Sequence, residues 1–324
     1  MDISVVEKEN REEHKKESIS EKAHKLWEKM KTQKFLIFMS LPFVIWLIIF
    51  KYTPLFGWVM AFQDYKPGKS ILDQTWVGLK YFKELFKEPL FYQALQNTLA
   101  MSVLSLVFGT ICAIGFALLL NELKAKKFKK CVQTISYLPH FISWVVAASI
   151  VTSMLSTSGI VNELLMALNL IDAPIQFTSN PNYFWGIVTV SDVWKEMGWN
   201  AIIYLAAITS IDPEMYEAAR VDGASRIRQI ISITLPSIKP TIIVLLIMSI
   251  GNLINIGFEK QMLLGNSIVV DKSLVLDKYA LDYGIGMFRY SFGTAIGIFK
   301  SVIGIILVFG ANKFAKKIGE QSII

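Results

Sequence analysis

An apolar segment near the middle of the sequence contains a concentration of charged and aromatic residues, in the stretch SDVWKEMGWN. Four of them follow the i, i+3, i+4 and i+7 spacing that places side chains on one face of a helix: Asp192, Lys195, Glu196 and Trp199. Charged groups are costly inside a bilayer and usually face protein or a water-filled cavity. With Asn200 and Tyr204 nearby, this face offers groups that bind the hydroxyls and rings of a polar solute. Two interpretations follow. Either the face borders a path across the membrane, or Lys195 pairs with Asp192 or Glu196 and the helix packs against another.

Polar residues also interrupt the last two apolar segments. Asn252 and Asn255 are three residues apart, which predicts a shared helical face, and Glu259 follows at the end of the same segment. These residues either contact a solute or form amide hydrogen bonds between helices. Lys300 lies near the centre of the final apolar segment and needs an anionic partner, for which Asp192 and Glu196 are the candidates.

The sequence does not contain the residue patterns of a catalytic or metal-binding protein. It has no histidine pair, HExxH motif or cysteine–histidine cluster, which argues against a membrane-embedded enzyme and against a bound metal. The tripeptide Gly68-Lys69-Ser70 resembles the end of a nucleotide-binding loop, but Gln63 stands where that loop needs its first glycine. We therefore expect the chain to bind no cofactor and to hydrolyse no ATP itself.

The composition indicates that much of the chain lies in a membrane. Hydrophobic residues make up 53% of the 324 residues, charged residues make up 18%, and the mean hydropathy is +0.45. Uncharged runs exceed the ~18 residues that indicate a membrane span, whereas a soluble domain carries more charge and breaks such runs sooner. The pattern predicts an all-α, polytopic membrane protein with about six spans, at residues 35–60, 95–120, 132–155, 183–207, 241–258 and 291–311.

Basic residues predict the orientation of these spans. The net charge is +7, and the positive charges flank apolar runs, which suits lipid headgroups better than nucleic acid. Lysine and arginine are concentrated in the N-terminal tail (1–34), the loops at 121–132 and 209–239, and the C-terminal tail (312–324). This bias predicts that both termini and both loops are cytoplasmic. On the other side, residues 76–86 predict a short helix, either at the membrane surface or within a soluble loop.

The loop at 209–239 has the signals of a helical elbow. Asp212 is a good N-cap residue, and residues 214–222 can form a short helix. Gly223 can then adopt positive φ and turn the chain. A second amphipathic helix follows, with Pro236 marking its end. We expect a compact projection that another protein can grip from outside the membrane.

The spacing within this loop resembles the EAA motif of permeases in binding-protein-dependent ABC importers. Glu217-Ala218-Ala219 is followed by Gly223 after three residues, by Ile233 after nine more, and by Leu235-Pro236 after one more. The segments FKYTPLFGWVMAF, QTISYLPHFISWVV and SIGNLINIGFE resemble the subfamily that imports complex oligosaccharides in Gram-positive bacteria. The resemblance covers nearly the whole chain after about residue 35.

The resemblance implies the type I ABC importer permease architecture and assigns roles to the loop. Glu217 makes polar contact with a cleft in an ATPase, Ala218 and Ala219 allow close approach, and Gly223 shapes the elbow. The full set of residues expected to couple to the ATPase is Glu217, Ala218, Ala219, Asp222, Gly223, Leu235 and Pro236.

The resemblance also implies the partners. They are a second permease subunit in a heterodimer, two ATPase subunits that use ATP and Mg, and a lipid-anchored binding protein that delivers an oligosaccharide at the bacterial cell membrane. Two alternatives stay open: a permease for peptides or amino acids, and a sensory membrane protein that uses the loop to dock an ATPase.

Overall fold

The computed structural model describes residues 27–28 and 31–317, so most of the predicted N-terminal tail and residues 318–324 lie outside the described part. The chain divides into two units, Met1–Trp58 and Val59–Ile324. The described residues are almost entirely helical, with one two-stranded sheet, and the prediction of an all-α protein is confirmed.

The first long helix, α1, runs from Lys34 to Phe62 and contains the predicted span 35–60. It is α-helical to Leu47, has a π turn at Ile48–Tyr52, and ends in a 3₁₀ stretch at Thr53–Phe62. From Phe35 to Phe56 nearly all of its apolar side chains are exposed, as expected of a helix surrounded by lipid, whereas Ala61 near its end is buried.

Within the described residues, the second unit contains twelve further helices, three short 3₁₀ or π-helical segments (Ile71–Asp73, Phe177–Ser179 and Asp282–Gly286) and a short hairpin. The strands are β1 (Gln63–Asp64) and β2 (Thr75–Trp76). The helices are α2 (Lys80–Leu85), α3 (Pro89–Glu122), α4 (Lys126–Phe141), α5 (Trp144–Met154), α6 (Ile160–Ala167), α7 (Pro181–Thr209), α8 (Pro213–Val221), α9 (Arg226–Gly251, with a π turn at Ile230–Thr234), α10 (Glu259–Leu264), α11 (Val270–Ser273), α12 (Leu276–Leu281) and α13 (Tyr290–Lys317).

Length and hydropathy identify four membrane-spanning helices in the described chain, α1, α3, α9 and α13, or five if α4 and α5 form one bent span. Helix α7 has 29 residues, long enough to cross a bilayer. Every 18-residue window within it includes Asp192, Lys195 and Glu196, and these charged residues make it less apolar than the other spans. The architecture is therefore compatible with six spans.

The third predicted span, 132–155, is not one straight helix. Helices α4 and α5 meet at an angle of 105°. Ile142 has an extended backbone, and the Ser143 hydroxyl accepts a hydrogen bond from the Val146 N–H at 3.3 Å, which caps α5. The absence of Asp, Glu, Lys and Arg on both sides conceals this break, although Pro139 and the capping residue Ser143 are readable signals beside it.

The core of the second unit forms along α3 and α7. Near one end, Met101 packs in a cluster with Phe184 and Val188. Towards the other end, Leu120 packs in a cluster with Leu205. Since the early residues of both helices meet, and so do the late ones, α3 and α7 run in the same direction.

Helix α4 approaches α7 closely at Gly198. A Cβ atom at this position would overlap the backbone carbonyl group of Ser136, so only glycine fits. Gly186, on the same helix, has nothing within 4 Å of the corresponding Cβ position.

This contrast predicts opposite effects of two identical substitutions. We expect Gly198→Ala to destabilise the protein by about 1–3 kcal/mol, because α4 must move away. Gly186→Ala should be neutral or stabilising by up to about 1 kcal/mol, because alanine favours helix. Thermal unfolding of the purified variants checks both. Equal unfolding temperatures would show that α4 and α7 are not packed this tightly.

The segment between the first two spans packs on the start of α13. Strands β1 and β2 pair antiparallel, and the Ser291 hydroxyl donates to the Gln63 carbonyl at 2.6 Å. The Tyr81 hydroxyl donates to Asp64 at 2.7 Å, which holds the pKa of that carboxyl below its ordinary value. Burial, together with Asp64, raises the pKa of Tyr81 to about 12.

The helix predicted at 76–86 begins only at Lys80, because Trp76 belongs to strand β2.

Candidate functional site

A cavity of about 430 Å³, in which polar groups are set into a partly apolar wall, lies among α3, α7, α9, α10 and the segment between α9 and α10. Its uncharged polar lining consists of hydroxyl and amide side chains, which are Ser102, Ser105, Thr110, Asn200, Ser249 and Asn252. Two charged residues, Asp192 and Lys260, complete the polar lining. Three residues predicted to border a path for solute, Asp192, Asn200 and Asn252, therefore meet in one cavity.

The other charged residues predicted on the same face of α7, Lys195 and Glu196, do not line the cavity. Lys195 is buried, and its ammonium group donates to the His140 carbonyl at 2.8 Å and to Glu196 at 3.3 Å. The Glu196 carboxylate also lies 2.7 Å from His140 Nδ1, and the Trp199 ring stacks on His140 with centroids 4.4 Å apart. These contacts hold the last turn of α4, next to the break before α5. They match the interpretation in which Lys195 pairs locally and packs α7 against another helix.

Three further predicted residues lie outside the cavity. Tyr204 is buried in the cluster that joins α3, α7 and α9. Asn255 and Glu259 are exposed. The expectation that Asn252 and Asn255 share a helical face is wrong, because α9 ends at Gly251 and Asn252 is its C-cap residue.

The predicted partners of Lys300 are also wrong. Its ammonium group pairs with Asp277 of α12, and the other oxygen of Asp277 accepts the Gly257 N–H at 3.1 Å. Asp192 pairs with Lys260 instead, at 2.7 Å. The sequence suggested a loop for 259–290, but this segment packs against α3, α7 and α13 and brings its own charges into the bundle.

Sequence reasoning did not identify Lys260, which lies at the second position of α10. Its ammonium group lies 5.6 Å from the centre of the Trp144 ring, and that of Lys195 lies 5.7 Å from the same centre. Trp144 is the first residue of α5, so the break in the span places one aromatic ring near two cations. The sequence signal was only a lysine shortly after an apolar segment.

The loop at 209–239 contains a short exposed helix, α8. The Asp212 carboxylate accepts the Glu214 N–H at 2.9 Å, as predicted for an N-cap. The Glu217 side chain is 69% exposed, and its carboxylate lies 3.8 Å from Arg220. Val221, the last residue of α8, is 88% exposed. Exposed apolar and acidic side chains on one short helix form a surface suited to another protein.

Hydrogen bonds join this helix to the rest of the bundle. The Tyr216 hydroxyl lies 2.9 Å from the Thr234 hydroxyl in the π turn of α9. Arg226, at the start of α9, donates to Glu122 at the end of α3 at 3.1 Å. Helix α8 therefore contacts α9 directly, and α9 in turn contacts α3.

The second half of the loop differs from its prediction. Pro236 does not end the amphipathic helix, because α9 continues through it to Gly251. Proline lacks an N–H group and normally clashes with the carbonyl four residues earlier. The π turn at Ile230–Thr234 widens the helix immediately before Pro236 and relieves that clash. Leu235 is half-buried against the cluster that contains Tyr204.

This bundle of apolar helices, with a polar cavity in its interior and an exposed helical elbow at one end, defines a polytopic membrane transport protein. The model of the family described as "Binding-protein-dependent transport system inner membrane component" matches residues 105–320. The chain belongs to this family. It is a permease subunit of an ABC importer, a non-enzymatic membrane component, and the prediction of that class is confirmed.

Similarity to individual proteins extends over nearly the whole chain. It is 45% identical over 304 residues, 94% of each chain, to the polygalacturonan/rhamnogalacturonan transport system permease protein YteP of Bacillus subtilis. It is 42% identical to Protein LplB of the same organism, over 91% of this chain and 92% of LplB.

Solved structures show the same fold. A chain in the crystal structure of a bacterial ABC transporter involved in the import of the acidic polysaccharide alginate superposes with a TM-score of 0.82 at 41% identity, covering 91% of this chain and 99% of that one. A second match, with a TM-score of 0.83 at 40% identity over 92% and 99%, comes from the alginate transporter in complex with an alginate pentasaccharide-bound periplasmic protein.

Proposed function

We propose that this chain forms half of the membrane path of an importer for oligosaccharides. The observation that carries the proposal is the cavity beside Asp192, which has six hydroxyl and amide side chains and one ion pair in its lining. Saccharides present many hydroxyl groups, and side chains that both donate and accept hydrogen bonds suit them. The relatives named for polygalacturonan and alginate transport support this substrate class over peptides or amino acids.

The loop at 209–239 is the dock for a separate ATPase. Two copies of that ATPase bind ATP and Mg, and the exposed residues Glu217 and Val221 of α8 contact one of them. Nucleotide binding moves α8, and the contacts of Tyr216 and Arg226 pass the movement to α9 and α3, which line the cavity. The cavity then alternates between two sides of the membrane as a two-state system.

The complete importer has further subunits. A second, different permease contributes the other half of the path, and a lipid-anchored binding protein delivers the saccharide at the face opposite the coupling loop. The basic residues near 121–132 and 209–239 support a cytoplasmic position for the loop and both termini.

Uptake by a strain that lacks this subunit tests the substrate class. The panel contains labelled neutral and acidic oligosaccharides, with amino acids and peptides as controls. We expect loss of uptake of one oligosaccharide class and recovery when the wild-type gene is restored.

Two other outcomes would contradict the proposal. Loss of only peptide or amino acid uptake would show that the substrate class is wrong. Unchanged uptake of every solute, in cells whose parent strain expresses the importer, would favour the sensory alternative.

A further inference from the structure

The ion pair between Lys260 and Asp192 is largely buried and yet lines the cavity. Lys260 Nζ lies 2.7 Å from Asp192 Oδ2, and the two side chains are only 13% and 17% exposed. Both residues nevertheless line the polar cavity, so the pair is accessible from the space that a solute would enter. The ammonium group has three N–H donors, and Asp192 uses one of them at this distance.

Asp192 and Lys260 are the only formally charged residues that line this cavity in the described part of the chain. The lining therefore has no net formal charge. Two further charged residues of α7, Lys195 and Glu196, pair with each other at 3.3 Å and with groups of His140. Replacing either member of the Lys260–Asp192 pair by a neutral residue changes the charge of the lining by one unit, with opposite sign for the two members.

We propose that the Lys260–Asp192 pair selects saccharides by charge, with Lys260 binding the carboxylate of a uronic acid residue. This inference rests on the proposed function as an oligosaccharide importer. Asp192 holds the ammonium group at the cavity wall, and the centre of the Trp144 ring lies 5.6 Å from it. The incoming carboxylate uses the N–H donors that Asp192 leaves available. Neutral saccharides meet the same hydroxyl and amide groups without this interaction.

The two single variants should change the preference in opposite directions. Lys260→Gln leaves Asp192 as an uncompensated anion in the lining, so we expect the uptake ratio of acidic to neutral saccharide to fall about tenfold or more. Asp192→Asn leaves the ammonium group uncompensated, and the same ratio should rise by about threefold or more. A pair that only stabilises the fold would change the uptake of both saccharides by the same factor in both variants.

The experiment uses the whole importer, reconstituted in lipid vesicles with its ATPase and binding protein. The probes are trigalacturonate and the same trisaccharide with its carboxyl groups reduced to alcohols. Each variant receives both probes from the same binding protein, so the preference of that protein cancels when the variants are compared. Lys278→Gln is the matched control, because Lys278 pairs with Asp282 at 2.7 Å outside the cavity lining. It should leave the ratio unchanged.

The double variant, Lys260→Gln with Asp192→Asn, keeps the test decisive if a single variant fails to insert. It leaves no uncompensated charge, and its ratio should lie between that of wild type and that expected for Lys260→Gln. A wild-type ratio in the double variant, or equal losses for both probes in the single variants, would overturn the inference and leave the proposed function standing. A wild-type importer that carries neither probe nor any other oligosaccharide would overturn the proposed function, and this inference with it.

Discussion

Replacing Gly223 by proline is expected to abolish uptake while the chain still inserts in the membrane. Gly223 has φ of +76°, whereas the proline ring holds φ near −65°. Its N–H group donates to the Arg220 carbonyl at 3.1 Å, and proline has no such donor. The next N–H, of Ala224, bonds to the Ala219 carbonyl at 2.8 Å, so the turn is a Schellman motif that ends α8. Without this turn, α8 cannot keep its direction relative to α9.

Asparagine at the same position is the matched control. It tolerates the left-handed conformation better than other non-glycine residues and retains the N–H group. We expect Gly223→Asn to keep at least about half of the uptake, since the strain amounts to about 1 kcal/mol. The measurements are saccharide uptake and co-purification of the ATPase, with the membrane amount of each variant determined in parallel. Wild-type uptake and ATPase binding by Gly223→Pro would show that the shape of this elbow does not matter for coupling.

The loop at 209–239 was predictable because short-range rules determine most of it. Asp212 caps a helix within two residues of itself, and Gly223 ends that helix through contacts within the preceding four residues. The helix observed at Pro213–Val221 differs by one residue at each end from the predicted 214–222. Pro236 misled the prediction because its effect depends on the π turn before it, and a π turn has no clear sequence signal.

Long apolar runs located the membrane spans for a similar reason. The energetic cost of polar groups in lipid acts on every residue of a span, so composition alone reveals it. The 105° break between α4 and α5 escaped notice because membrane spans tolerate proline and no Asp, Glu, Lys or Arg interrupts the run near Ile142. Pro139, His140 and the capping residue Ser143 are the local departures from an apolar background.

The ion pairs inside the bundle could not be predicted from the sequence. Lys260 and Asp192 are 68 positions apart, and Lys300 and Asp277 are 23 apart. Which cation meets which anion depends on how residues 252–286 fold back onto α3, α7 and α13, and no local pattern specifies that. The sequence showed that Lys300 needs a partner, since an unpaired charge is costly inside a bilayer. It did not show that Asp277 would lie close enough to be that partner.

The pairing of Lys300 with Asp277 leads to the second large expected effect. Lys300→Met removes the cation and leaves the Asp277 carboxylate, whose side chain is only 22% exposed, without its partner. Breaking a buried pair on one side costs about 3–5 kcal/mol, chiefly because the remaining charge is uncompensated. We therefore expect a clearly lower unfolding temperature for the purified protein and reduced assembly with its partner subunits.

A second substitution separates this explanation from a general loss of packing at Lys300. Adding Asp277→Asn to Lys300→Met removes the stranded charge and keeps an oxygen that accepts the Gly257 N–H, so most of the stability should return. Lys278→Met breaks the more exposed pair with Asp282 and should cost only about 0.3–0.5 kcal/mol. A double variant as unstable as Lys300→Met would mean that the lysine contributes through its packing in α13. A Lys300→Met protein as stable as Lys278→Met would mean that Asp277 is not its partner, and the way 252–286 packs against α13 would then need revision.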